Sequence, residues 1–500
     1  MRALPTAAFL LAACAACRPA APPGTVVYAS GADLQSINPL VTVHPLAKQV
    51  QRYALFLTLV RYDSALVPRP YLASAWSWSA DRRTLTFTLR GDVRWHDGRA
   101  TSSADAAFTL EAARDPATAY PRRAELACVE RIAAPDPRTL ALHFCRPQDA
   151  LLDLLTDLAV LPAHLLSDVP RPSMATAPFN EQPVGNGPYR FVAHEAGRRW
   201  VFEANTDFPA ALGGTPAVRR LVVAVVDEAT TKLAALVAGE LDFAGIAPMH
   251  AAVVARVRDR AVLDYPLLFT YGLVWNTARP PFHDPRLRRA LSLAIHRQRL
   301  VAAAVYGFGE VAAGPVPSAH PLAAEVETPP FDPAAARALL DSLGFGPSGR
   351  RLAFTVLTVG AGDAALEQLI QADLAAVGVD MRIRQLQLGA YLETSQSPAR
   401  DYDALVLGVP GDLALGYLRS LFDSRRRDEP LQVAQYANPD VDRALDRGDL
   451  AEVQRIVARE LPITFLYHGR GVQGVHLRVR NVRMDLRGEL ASLTGWHLAR

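Results

Sequence analysis

The sequence predicts an α/β protein of more than one domain, and three observations carry that prediction. The run from 351 to 386 reads strand, helix, strand, which within one sheet makes a parallel pair joined by a right-handed crossover. Two stretches, after Asp284 and after Asp332, carry helix-start signals, while residues 53–110 alternate short β-like runs with turns. At 500 residues the chain has room for about three domains of roughly 150 residues each.

The elements follow in chain order. Arg2 and about eleven mostly apolar residues, Ala3 to Ala13, open the chain with a signal-peptide length, well short of the ~20 residues that span a bilayer. Leu11 to Cys14 (LAAC) resembles a lipobox, which predicts cleavage before Cys14 and a diacylglycerol on its sulfur. Cys17 is the alternative cleavage site, and a plain secretory signal is the third reading. A redox or zinc pair at Cys14 and Cys17 lacks partner ligands later in the chain and a surrounding βαβ pattern. The Pro- and Ala-rich run RPAAPPGT that follows reads as a tether. Beyond it no apolar stretch reaches 18 residues without charge, which predicts a soluble body outside the cytoplasm.

Leu85 to Gly98 shows period-two patterning broken at Gly91, the mark of a half-buried sheet. Cys128 and Cys145 flank two β-rich runs that meet at a turn around Ala134 to Asp136, which sets the cysteines nearly opposite each other. They are a disulfide in an oxidising compartment, or two small buried hydrophobes. Asp284 with Pro285 opens one long helix, RLRRALSLAIHRQRLV. Asp332 with Pro333 opens another, which Gly344 closes. Residues 351–358, 364–377 and 379–386 then supply the strand, helix and strand of the parallel unit.

Composition excludes several classes of function. Half the residues are apolar and 21% are charged, which suits a packed globular core rather than disorder. The 53 basic and 50 acidic residues leave a net charge of +3, too small a field to hold nucleic acid. Nucleophile elbows, metalloprotease helices, P-loops and dinucleotide fingerprints are missing, and no fixed-period repeat occurs. His96 and Asp97 within WHDG read as polar residues of a turn between strands.

A string of phrases runs nearly end to end. It comprises LQSINPL at 34–40, the long run from Leu59 to Thr109, PVGNGPYRF at 183–191 and WNTARPPFHDPRLRRALSLAI at 275–295. FDPAAARALLDSLGF at 331–345, YANPDVDRAL at 436–445 and LPITFLYH at 461–468 complete it. In this order the phrases resemble solute-binding protein family five, the dipeptide- and oligopeptide-binding proteins of ABC importers. GNGPY also reads as a chain reversal, its glycines permitting a tight or positive-φ turn.

The resemblance implies an α/β, type II periplasmic-binding-protein-like fold of cluster C, with two lobes, hinge strands and an extra inserted domain. Residues 1–25 would be the lipoprotein signal and tether. Lobe I would take 26–45, 182–269 and 470–500, the inserted domain 46–181 and lobe II 270–469. Crossovers are expected near Phe269 to Asn276 and Tyr467 to Gly474. The implied function is capture of a peptide or similar small polar solute between the lobes and its delivery to an ABC permease. It requires no cofactor, no metal and no catalytic residue, and a lipid-anchored monomer suffices. In the family an acid after a strand meets the peptide's ammonium. Here the strand is ALVLGVPG, containing Gly408, and the acid is Asp412, although GDLALGYL departs from the family's spacing by about two residues. Asp33, Trp275, Asn276, Tyr391 and Tyr417 are the further cleft candidates, with Trp275 equally readable as a core side chain.

Two other readings compete. The same fold as a receptor for a nickel chelate, haem or an oligosaccharide keeps the cleft and changes the ligand, though the scattered histidines argue against metal. An exported hydrolase would need a nucleophile and base assembled from distant segments.

Overall fold

A computed structural model describes residues 22–42, 44–346, 349–360, 362 and 364–499. Cys14 and Cys17 lie outside the described residues.

The parallel unit forms as Ala353–Val359, Ala365–Ala375 and Asp380–Leu386, with Ala353 registered against Asp380. Its apolar face closes on Phe354, Val356, Ile370 and Leu374. Asp284 and Asp332 accept hydrogen bonds from the N–H groups of Arg286 and Ala335, capping helices Pro285–Leu293 and Pro333–Ser342. The single long helix expected after Asp284 is two helices, because Asp373 accepts the His296 N–H at 3.0 Å and removes it from the helical ladder. His296 then caps Arg297–Ala304 by accepting from the Arg299 N–H.

Residues 53–110 supply strands Val60–Tyr62, Pro68–Pro70, Ala73–Trp78 and Thr84–Leu89, but not sheet throughout. Helix Ser103–Arg114 starts there, set by a capping box between Ser102 and Asp105. The period-two run ends at Leu89, short of the expected Gly98. Val129–Asp136 and Thr139–Phe144 complete a four-stranded antiparallel sheet. Their turn falls at 137–138, later than expected, because Asp136 accepts from the N–H groups of Arg138 and Thr139. The hairpin brings Cys128 and Cys145 to 5.1 Å between Cα atoms, joined by a disulfide.

The glycines of GNGPY serve close approach rather than a positive-φ turn. A Cβ on Gly185 would sit 2.0 Å from the Leu55 carbonyl oxygen, which accepts the N–H groups of Asn186 and Gly187.

One eleven-stranded mixed sheet organises the molecule. Its order runs Asp380–Leu386, Ala353–Val359, Ala404–Pro410, Arg260–Trp275, Ile463–His476, Phe243–Gly245, Thr25–Ser30, Arg220–Val225, Arg199–Ala204 and Tyr189–Glu195. Gly309–Val311 pairs with Ile463–His476 off this path. Arg260–Trp275 and Ile463–His476 are long enough to belong to both lobes. Residues 260–266 of the first pair with 470–476 of the second, whereas 269–275 pair with Ala404–Pro410. A register shift between Pro266 and Thr270 marks the passage between the two environments.

The apolar cores respect that division. The largest cluster joins Val26, Phe56, Phe87, Trp200 and Trp496, so residues 46–181 share a continuous core with the first lobe. Two other clusters, around Trp275 and Phe354 and around Tyr417 and Phe465, fill the second lobe. Among the described residues no ion pair joins 26–226 to 277–462. The two crossing strands are the elements common to both sides of that division.

Candidate functional site

In an α/β lobe the carboxyl ends of parallel strands open onto the ligand crevice. Ala404–Pro410 delivers the chain into the loop holding Asp412, and helix Tyr417–Phe422 follows. The Asp412 carboxylate shapes that loop: Oδ1 accepts the N–H groups of Ala414 at 3.1 Å and Gly416 at 2.9 Å, and Oδ2 accepts that of Tyr417 at 2.9 Å. Three of about four lone-pair positions are filled, which leaves capacity for one more donor. Asp412 also lies within electrostatic reach of Tyr62 and Glu125, which belong to the opposite side of the molecule.

That opposite wall is a buried charge network. Asp157 receives Lys48 Nζ at 2.9 Å, Arg52 Nη1 at 2.8 Å and Arg122 Nη1 at 2.8 Å. Burial pushes the Asp157 carboxyl up, but the three cations outweigh it and hold it well below the usual carboxylate range. Arg122 also binds Asp153 at 2.8 Å and Glu125 at 2.5 Å. Tyr62 donates to Asp153 Oδ1 at 3.0 Å, and burial followed by the Asp153 charge raises its hydroxyl. Burial likewise raises Glu125, with Asp412 among the charges acting in the same direction. The Tyr120 hydroxyl is buried beside this network with no hydrogen-bond partner among the described residues.

The floor is built by the crossing strands. Tyr265 donates to Glu489 Oε1 at 2.6 Å, Gln49 Nε2 donates to Glu489 Oε2 at 2.5 Å, and Gln473 Nε2 donates to the Tyr28 hydroxyl at 3.2 Å. These bonds tie the C-terminal segment to the first lobe beside the passage. Further along, the half-buried rings of Phe269 and Tyr271 stand 5.2 Å apart, and Tyr271 stacks on Tyr467 at 4.6 Å. Gly408 makes this possible, since a Cβ there would meet the Phe269 ring at 2.3 Å.

The structure brings Asp412, Tyr417 and Gly408 to one end of the second lobe and places the other candidates elsewhere. Trp275 is 0% exposed, donates to Thr464 Oγ1 at 2.9 Å and stacks on Phe282. Asn276 gives its Nδ2 hydrogens to the carbonyls of Arg400 and Tyr402. Tyr391 donates to the Val406 carbonyl at 3.0 Å. All three are buried inside the second lobe, so they serve its core and present no surface to a ligand. The Tyr417 hydroxyl is likewise turned to the Pro315 carbonyl at 2.8 Å. Asp33 accepts from Trp200 Nε1 at 2.7 Å and the Gly197 N–H at 2.8 Å, which anchors it to the hairpin of Tyr189–Glu195 and Arg199–Ala204. Arg122, Glu125 and Glu489 had no motif to announce them, while Tyr62 lies in the phrase at 59–109 and Phe269 at an expected crossover without either being singled out for the site.

Comparison with known proteins agrees with this fold. The family model described as bacterial extracellular solute-binding proteins, family 5 Middle, matches residues 67–426. Protein XP55 of Streptomyces lividans is 30% identical over 439 residues, covering 83% of this chain and 78% of that protein. A putative ABC transporter peptide-binding protein of Brucella ovis is 29% identical over 324 residues, 64% of this chain and 60% of that protein. The oligopeptide-binding protein AppA from Bacillus subtilis, solved in complex with a nonapeptide, has the same fold. Its TM-score is 0.75 at 20% identity, over 95% of this chain and 99% of that one. A match over more than half the chain, with a relative covering most of its length, shows the family: this chain belongs to the bacterial extracellular solute-binding proteins, family 5.

Proposed function

We propose that the chain captures a peptide, or a small polar solute of similar chemistry, between its lobes and hands it unchanged to the permease of an ABC importer. The observation that carries this reading is the position of Asp412. A carboxylate with one remaining acceptor position stands at the carboxyl end of a second-lobe strand, facing the charge network of the first lobe. A peptide ammonium seated there makes a charge-assisted hydrogen bond that closure of the lobes strips of water. Relatives bearing peptide-binding names, and the nonapeptide held by AppA, support the same ligand class.

In this reading lobe I (26–45, 182–269, 470–500) and the inserted domain (46–181) move together, because they share one core. Lobe II (270–469) swings against them about the crossing strands. The body acts as a monomer outside the cytoplasm, tethered through a lipid on Cys14, and performs no reaction.

Native mass spectrometry of the purified chain identifies what it carries. Binding of matched peptides then tests the site: Asp412→Ala weakens free-amine peptides by about tenfold or more and leaves N-acetylated ones nearly unchanged. Equal loss for both removes Asp412 from the role. Covalent turnover of the ligand overturns the whole reading.

A further inference from the structure

A cavity of about 260 Å³ opens between the hairpin of Val60–Tyr62 and Pro68–Pro70 and the C-terminal segment 487–494. Tyr53 and Ala491 give it accessible apolar surface, Tyr71, Leu490 and Leu493 lie buried behind it, and the arginines at 61, 69 and 487 bring three cations. None of its lining residues comes from 270–469, so the cavity is separate from the space between the lobes. Tyr62 is a wall common to both: it lines the cavity, and its hydroxyl bonds Asp153 in the network facing Asp412.

The charges are unequally matched. Arg69 Nε donates to Asp63 Oδ2 at 2.8 Å. Arg487 grips Asp485 through Nε at 2.9 Å and Nη2 at 2.6 Å, and its Nη1 donates to the Tyr62 carbonyl at 3.1 Å. Arg61 lies over the Tyr71 ring at 4.7 Å and has no carboxylate partner among the described residues. The site therefore carries one uncompensated guanidinium, held in place by an aromatic face. A guanidinium fork matches a carboxylate bidentately. Asp63, in the same wall, repels a second negative charge, and the volume falls below the ~300 Å³ at which drug-sized ligands begin.

We propose that this cavity is a second binding site, taking a small monoanionic carboxylate whose flat apolar body lies against Tyr53 and Ala491. It is independent of the solute held between the lobes.

Calorimetric titration of the purified full-length chain with benzoate tests it, with inorganic phosphate as comparator. Benzoate binds saturably and more tightly than phosphate. Arg61→Ala weakens benzoate by roughly tenfold, the loss of one charge-assisted contact, and the exposed position of Arg61 spares the core. Ala491→Phe, which fills the cavity without altering charge, weakens it as well, whereas Asp412→Asn changes it less than about twofold. Failure of benzoate to saturate, or indifference to both Arg61→Ala and Ala491→Phe, overturns the site. A loss in Asp412→Asn matching that in Arg61→Ala relocates binding to the interlobe space, and tighter phosphate than benzoate refutes the ligand class.

Discussion

Tyr265 fills the space in front of Gly471, its register partner across the two crossing strands. A Cβ on Gly471 would come within 2.1 Å of the tyrosine ring. From that position the Tyr265 hydroxyl reaches Glu489 at 2.6 Å and fastens the C-terminal segment to the passage between the lobes. Gly471→Ala must therefore expel the ring and break the bond. The expected cost is about 1–3 kcal/mol, the range for overpacking a filled site. Urea unfolding measures it, and a variant as stable as the parent shows that the ring has room to move.

Much of this architecture was readable from local chemistry, and the site was not. Asp284 and Asp332 announced their helices because a cap is settled within four residues. Gly344 closed the second of these helices for the same local reason, its φ of +81° being one that glycine adopts without strain. Trp275 stayed open between cleft and core because its place at a crossover says nothing about which face it takes. Alternation along the strand puts Tyr271, Leu273 and Trp275 on the face covered by Phe282, while Val274 turns to the other core. Tyr62 and Glu125 come within electrostatic reach of Asp412 only through tertiary folding, so no spacing in the chain could have linked them. The family resemblance pointed to Asp412, because the end of a strand and the acid that follows it are local features that carry over from one sequence to another.

The network around Asp157 gives a second expectation. Lys48 and Arg52 are held in the interior by one carboxylate, which Arg122 also shares. Asp157→Ala leaves buried cations uncompensated and lowers stability by about 3–5 kcal/mol. Lys48→Met, which removes a cation and keeps the volume, costs markedly less. The pair is compared by urea unfolding at neutral pH. Equal losses mean that packing, not charge, sets the cost.

Cys128 and Cys145 close a loop with a sequence separation of 17. Joining the ends of such a loop restricts the unfolded chain, a stabilisation of about 3 kcal/mol on the chain-entropy account. Dithiothreitol is expected to lower the urea midpoint of the parent and to leave a Cys128→Ala, Cys145→Ala variant unaffected. A midpoint in the parent that ignores the reductant shows that the bond contributes nothing to stability.

Burial pushes five imidazoles down, those of His44, His320 and His476 among them, and those of His96 and His468 furthest. His468 sits on the second crossing strand with its Nδ1 at 2.9 Å from Thr270 Oγ1, and burial pushes the imidazole down to about 4 against weak support from Glu310. His96, whose Nε2 lies 3.1 Å from the Gly187 carbonyl, is also pushed down to about 4 by burial. Both folded values lie below the ordinary 6.5, so between pH 6.5 and 4 the unfolded chain binds protons that the folded chain refuses. Stability therefore declines as pH falls through that window, by roughly 3 kcal/mol per histidine at its lower end. Asp157 acts in a separate range: its carboxyl is lowered from 3.8, so its contribution is lost only below that value. Replacing His468 by Gln keeps a polar side chain that does not titrate, and removes from the decline between pH 6.5 and 4 the roughly 3 kcal/mol that His468 contributes. A His468→Gln variant whose stability falls as steeply as the parent's across that interval shows that His468 is not the group responsible.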